Sequence, residues 1–318
     1  AAAGNFIEFA AVERDLHRKI PVPEAEGRPP EGSARIAVDQ GKLPLIIADQ
    51  LLDVGFVAHQ PQGIVGGDPA AAGGGAGSKT VAPLILRDIL LADPDRKVVV
   101  VSAAGKRHKD DHKITDLLYL TYAHTQYGVA CDPVFDQIVS RYLEIRDELG
   151  IKMDLEKEFA VLKKRLDNKA VSQDELASRG EYFSAKLMAA FLGFRFVDAA
   201  DWIKFKMDGT VDQDATYSAL ASQDVGNGIV IPGFYGLMPD GQIHTFSRGG
   251  SDITGALAAA ALNADVYENW TDVSGILMAD PRIVEDPLSI PEVTYDELRE
   301  LSYSGAQVLH EGTIFPVR

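Results

Sequence analysis

The sequence predicts an α/β layered fold with a mostly parallel sheet, and three observations carry that expectation. Residues 81–95, VAPLILRDILLADPD, have the apolar spacing of an amphipathic helix and stop at Asp93-Pro94. KVVVVSAAGK, residues 97–106, follows as a short β-branched run bounded by small residues, the pattern of a strand buried on both faces. Helical and strand-like stretches then keep alternating to about residue 270, the order that lays helices over a parallel sheet.

Taken in chain order, the first eighty residues are the least regular. Residues 21–35 are proline-rich and cannot hold a regular helix, and residues 66–77, GGDPAAAGGGAG, offer almost no side chains to pack. Between them, KLPLIIADQLLDVGFVAH (42–59) fits a helix or a strand with a turn at Asp53-Val54-Gly55, and the pattern does not choose. Beyond the first strand, helices are predicted at 114–126, 133–147, 153–167, 174–193 and 254–263. Strand-like runs fall at 194–199, 227–232 and 265–270. The chain divides on this reading into an atypical N-terminal extension (1–62), an N-terminal lobe (63–226) and a C-terminal lobe (227–318).

Composition narrows the function classes. The 318 residues are 46% hydrophobic and 25% charged, enough for one large domain or two lobes with a sizeable core. A net charge of -16 repels polyanions, so neither nucleic acid nor an anionic membrane is an expected partner. The single cysteine, Cys131, excludes an intramolecular disulfide and reads as a small buried hydrophobe. No run of about 18 apolar residues is present and the first residues lack a secretory pattern, so a cytoplasmic protein is expected.

Several stretches have the residue types of a binding site. In TFSRGGSDITGALAAAALNAD (245–265), Gly249 and Gly250 precede Ser251 and Asp252 and open an alanine-rich helix, with Arg248 just before the turn. Backbone N–H groups at such a helix start, beside an arginine, suit a phosphate or carboxylate; a capped structural helix fits the same letters equally well. WTDVSGILMADPRIV (270–284) holds two acidic turns, at Asp272 and at Asp280-Pro-Arg282, after a strand-like YENW, where an α/β sheet places ligands. In DELASRGEYFSAKLMAAFLG (174–193) the apolar stripe is Phe183, Leu187 and Phe191, and Glu181 falls off it, which by spacing alone reads as a solvated glutamate. The seven histidines form no HExxH or paired His/Cys spacing, so no protein-held metal is expected. GGGAGSKT (73–80) approaches a phosphate-binding P-loop, but Ser78 replaces the glycine before the lysine and proline and alanines precede it where a buried strand belongs.

Together these segments resemble the kinase domain of aspartokinases, within the amino-acid kinase superfamily. The resemblance rests on KVVVVSAAGK (97–106) followed by Lys113-Ile-Thr-Asp116, SRGEYFSAKLMAAFLG (178–193), IPGFYG (231–236), SRGGSD (247–252), WTDVSGILMADPRIV (270–284) and SYSGAQVLHEGTIFPVR (302–318). It implies a three-layer αβα sandwich with a mainly parallel sheet, an N-terminal lobe for the amino acid and a C-terminal lobe for ATP. The implied reaction moves the γ-phosphoryl group of ATP, with Mg2+, to the side-chain carboxylate of L-aspartate, in the route to lysine, threonine and methionine. By position, Glu181 would bind the substrate ammonium and Arg248 its α-carboxylate, with Ser102, Thr115 and Ser251 lining the pocket. Asp252 would help position catalytic lysines, Gly249 and Gly250 would approach phosphate, Thr271 and Asp272 would meet the nucleotide, and Asp280 and Arg282 its ribose-phosphate region.

Two departures accompany the resemblance. The family's first strand ends in a Lys-Phe-Gly-Gly loop, which falls here near Gly73-Gly74 and puts about Ala71 at the lysine; an alternative alignment on 63–68 puts Ile64 there. Where many relatives carry a second lysine, this chain has Leu288. Losing one oriented donor in a water-poor site costs about 2.7–4 kcal/mol in the transition state. Lys79 and Lys106 are the nearest replacements in sequence; Lys106 is expected on a solvated loop, which leaves Lys79 as the catalytic candidate. The second reading is a regulatory relative that binds aspartate without efficient transfer. The chain ends at Phe315-Pro-Val-Arg318, before the two small ACT-type regulatory domains of longer relatives, and a homo-oligomer is compatible with the resemblance.

Overall fold

The computed structural model describes the strands at 6–11 and 44–48 and the chain from 87 to 301, apart from 89, 108–109, 248, 272–277, 280–282, 286, 289, 291–292, 295–296 and 298–299. In chain order the strands are β1 (Phe6–Ala11), β2 (Pro44–Ala48), β3 (Val98–Val101), β4 (Arg195–Phe196), β5 (Ile229–Pro232), β6 (Tyr235–Leu237), β7 (Ile243–Thr245) and β8 (Val266–Thr271). Six of them form one sheet in the order β1-β8-β2-β3-β5-β4, parallel throughout, and β6 and β7 make a separate antiparallel hairpin.

The alternation of side chains along β3 and β5 builds the layers. Val99, Val101 and Val230 point into one core, covered by α1 (Ile114–Tyr127), α2 (Asp132–Glu148), α3 (Leu155–Asp167) and α4 (Gln173–Leu192). Val98, Val100, Ile229 and Ile231 point into the other, covered by α5 (Ala199–Trp202), α6 (Gln213–Ala221) and α7 (Gly250–Ala261). Both faces of β3 and β5 are thereby buried, as their unbroken apolar runs require. The result is the three-layer αβα sandwich. Among the described residues, no helix is long and apolar enough to cross a membrane.

The helices predicted at 114–126, 133–147, 153–167 and 174–193 form within two residues of those limits. Ser172 and Asp154 accept from backbone N–H groups at the starts of α4 and α3, and glycines in the left-handed region end α1 and α4. Other expectations change. The helix predicted at 254–263 begins four residues earlier, because Gly249 (φ +56°) makes the sharp entry and Gly250, Ser251 and Asp252 become its first turn. The run at 194–199 gives only two strand residues, since Asp198 accepts from the Ala200 N–H and caps α5. The undecided segment 42–59 supplies strand β2, and residues 1–62, set apart by their sequence, contribute two of the six strands. The β6–β7 hairpin was not read from sequence, although Pro239-Asp240-Gly241 is a turn signal and Gly241 stands at φ +81°.

Candidate functional site

In a parallel sheet the loops beyond the carboxyl ends of the strands are where ligands bind. Ser102 leaves β3 at that edge and Gly233 leaves β5 beside it, with the Gly233 N–H donating to the Val101 carbonyl at 2.9 Å. The first turn of α7 closes over both. A Cβ at Gly233 would lie 2.5 Å from Ser251 Oγ and 2.7 Å from Ser251 Cα, and one at Gly250 would lie 2.7 Å from Phe234 Cα. Only glycine permits this approach. Ser102 Oγ then donates to Ser251 Oγ at 3.0 Å, tying the strand end to the helix start.

The start of α7 has the form of an anion site. Gly249 is its N-cap, no side-chain cap is found among the described residues, and the first backbone N–H groups carry the helix's partial positive charge. Asp252 stands in the same turn, largely buried. An anion brought here meets that carboxylate and needs an added cation, which bears on the arginine at 248 and on a metal carried by a phosphate.

Helix α4 forms the opposite wall. Its Gly180 packs so closely that a Cβ there would meet Ala103 Cβ at 2.8 Å, which sets the helix directly on the residue after Ser102. Glu181, next along, is only 5% exposed, so the reading of a solvated glutamate is overturned. The stripe Phe183, Leu187, Phe191 described one face, whereas α4 packs against β5, α1 and the β6–β7 hairpin and is buried on several. The Glu181 charge is felt nearby. Burial pushes the Tyr119 phenol up, and Asp174 and Glu181 add to the shift. Burial also raises Tyr142, with Glu181 adding to it and the Ser184 hydroxyl and the Ala104 backbone opposing. Glu181, the residue after the Gly180–Ala103 contact, thus places a buried carboxyl group on α4.

Two further contacts fix this wall. Asp174 Oδ2, in the first turn of α4, accepts from the Thr245 N–H at 3.0 Å and pairs with His244 Nδ1 at 3.0 Å, holding strand β7, which precedes the start of α7. On the β3–α1 loop, Asp111 accepts from Arg107 Nε at 2.8 Å and from Arg141 Nη1 at 3.0 Å, and Arg141 Nη2 donates to the Gly105 carbonyl. The Arg107 hydrogen bond is the main cause that holds the Asp111 carboxyl well below the usual carboxylate range. Its contribution to stability is therefore complete above the ordinary value of 3.8 and is lost as the pH falls towards the folded value. Thermal melts should show Asp111→Asn destabilised relative to the parent at about pH 5, with the gap narrowing towards about pH 3.

Of the sequence-predicted residues, the structure brings Ser102, Gly249, Gly250, Ser251 and Asp252 to one corner, and Gly180, the residue before Glu181, packs on Ala103. Thr115 stands half-buried in the first turn of α1, and the described contacts do not tie it to that corner. Thr271 ends β8 at the same edge of the sheet. Gly73, Gly74, Lys79, Arg248, Asp272, Asp280 and Arg282 lie outside the described residues. Lys106 is exposed on the loop after β3, as expected, and Cys131 is a buried member of the core beneath α1 and α2. Sequence reasoning missed Tyr142, Asp174, Gly180 and Gly233. A lone glycine inside a helical pattern, as at Gly180, was the available signal of a close approach.

Residues 65–318 match the amino acid kinase family. The chain is 36% identical over 242 residues to Aspartokinase 3 of Bacillus subtilis (strain 168), covering 72% of this chain and 53% of that protein. It is 32% identical over 250 residues to Lysine-sensitive aspartokinase 3 of Escherichia coli (strain K12), covering 72% and 54%. The chain thus spans about half the length of the curated relatives it matches. Among solved structures it aligns with the aspartate kinase of Clostridium acetobutylicum at a TM-score of 0.73 and 42% identity, over 87% of this chain and 57% of that one. Escherichia coli aspartokinase III, solved in complex with aspartate and ADP, shares the fold at a TM-score of 0.68 and 24% identity, over 86% and 59%. From the matched residues, four-fifths of the sequence, the chain belongs to the amino acid kinase family.

Proposed function

We propose that this chain carries the catalytic part of an aspartate kinase, which transfers the γ-phosphoryl group of MgATP to the side-chain carboxylate of L-aspartate. The observation that supports it most is the corner at the sheet's carboxyl edge, where Ser102 and Ser251 are hydrogen-bonded and α4, packed on Ala103, carries buried Glu181. The relatives named aspartokinase, and the aspartate and ADP held by the Escherichia coli structure, support the choice of substrates.

The chemistry asks for alignment rather than for a base, because a carboxylate is already ionised at neutral pH. One of its oxygens attacks the γ-phosphorus, the bond to the β–γ bridging oxygen breaks, and 4-phospho-L-aspartate and ADP result. Glu181 binds the α-ammonium and Arg248 the α-carboxylate, while Ser102, Thr115 and Ser251 set the side chain's direction. The glycines at 249–250 and at 73–74 bring backbone N–H groups to the phosphates, and Lys79 supplies the cation that the first loop lacks at about residue 71. Magnesium arrives with the nucleotide and neutralises phosphate charge. Asp252 orients the cations; Thr271, Asp272, Asp280 and Arg282 receive the nucleoside and its phosphates. On this reading residues 63–226 chiefly hold the amino acid and 227–318 the nucleotide. The product would feed lysine, threonine and methionine synthesis.

Incubation of the chain with MgATP, L-aspartate and hydroxylamine should yield aspartyl hydroxamate and ADP in equal amounts, and Arg248→Ala should remove both. Aspartate binding without hydroxamate, in a folded sample, would overturn the transfer step and leave a binding protein.

A further inference from the structure

We propose that Tyr142 is a positioning residue for the amino-acid acceptor: its hydroxyl holds the middle of α4 to α2, whose neighbouring Arg141 holds the β3–α1 loop, and so sets the gap between Ser102 and Glu181. The inference rests on the reading of the site given above. Tyr142 lies on α2, outside the helices that line the site, and is fully buried. Its hydroxyl donates to the Gly180 carbonyl at 2.7 Å, the residue before Glu181, and lies 3.4 Å from Ser184 Oγ one turn further on. The preceding residue, Arg141, is 3% exposed and donates to the Gly105 carbonyl at 2.5 Å. Two consecutive residues of α2 therefore engage the loop and α4.

Packing alone does not call for a hydroxyl here. The Tyr142 ring sits 6.1 Å from Phe159 and 5.7 Å from Phe183, centre to centre, in an aromatic cluster that phenylalanine would complete. A buried hydroxyl is costly unless it is bonded, and its partners here, Gly180 and Ser184, flank Glu181 on α4. The loop and α4 also touch directly, at Ala103 and Gly180. Arg141 on the loop and the Tyr142 hydroxyl on α4 together fix on the inner side the spacing that this contact sets, and a change in spacing would be felt by a ligand held from both walls.

Tyr142→Phe removes one oxygen and keeps the ring. Losing a net hydrogen bond of ordinary strength, the variant should raise KM for L-aspartate about three- to tenfold, with kcat and KM for ATP within about twofold. Arg141→Lys, which keeps a donor beside the loop, should move KM for L-aspartate less than Arg141→Met. An unchanged KM for L-aspartate, or equal shifts for L-aspartate and ATP, would overturn the proposal and leave Tyr142 a core residue. If the parent protein binds L-aspartate without turnover, the same shift is read in the calorimetric Kd. If Glu181→Gln weakens L-aspartate and Tyr142→Phe does not, only this inference falls. If the parent neither binds nor turns over L-aspartate, both fall.

Discussion

Glu181→Gln should raise KM for L-aspartate on the order of ten- to a hundredfold while KM for ATP stays within about twofold. Gln keeps the size of the side chain and loses its charge. A hydrogen bond to a charged group is worth about 1.5–3 kcal/mol, which corresponds to that range of affinity. The burial of Glu181 argues that the effect lies at the upper end, because a charge pair shielded from water is screened little by solvent or salt. Steady-state kinetics with each substrate varied in turn would separate this from a general loss of activity, which would lower kcat without regard to substrate.

Gly233→Ala should cost both stability and activity. The new methyl group would sit 2.7 Å from the Cα of Ser251, a backbone atom that cannot turn aside as a side-chain end can. Relief requires α7 to lift from the end of β5, and that movement breaks the Ser102–Ser251 hydrogen bond at 3.0 Å. Overpacking of this kind typically costs about 1–3 kcal/mol. Urea unfolding should show a lower midpoint, and KM for L-aspartate should rise with it. An unchanged midpoint would mean that α7 does not rest on the strand end as described.

The parts of this fold that were legible share a physical cause. Strands β3 and β5 are buried on both faces, so their apolar runs are unbroken, and α1–α4 are long enough for spacing and caps to mark them. β1 and β2 are short strands on either side of β8, separated by a proline-rich stretch whose sequence gives no period to follow. The start of α7 was misplaced because glycine at 249 and 250 weakens a helix signal, while here it is what lets the helix begin against Phe234 and Gly233.

The site divides in the same way. Ser102 and Ser251 lie 149 positions apart and meet only through the order of strands in the sheet, so each could be singled out by motif but their contact could not be foreseen. Glu181 was misread because a helical stripe reports one buried face, and α4 has several. Tyr142 and Asp174 were invisible for a plainer reason. Their roles depend on a carbonyl and an N–H of distant backbone, and backbone partners leave no trace in the identity of side chains.

Isothermal titration of L-aspartate into the parent chain and into Glu181→Gln tests the central claim most directly, because it reads the acceptor pocket without any requirement for phosphoryl transfer. The account predicts one binding site in the parent and a Kd raised on the order of ten- to a hundredfold in the variant. Equal affinity in the two proteins would contradict it and would remove Glu181 from the acceptor pocket.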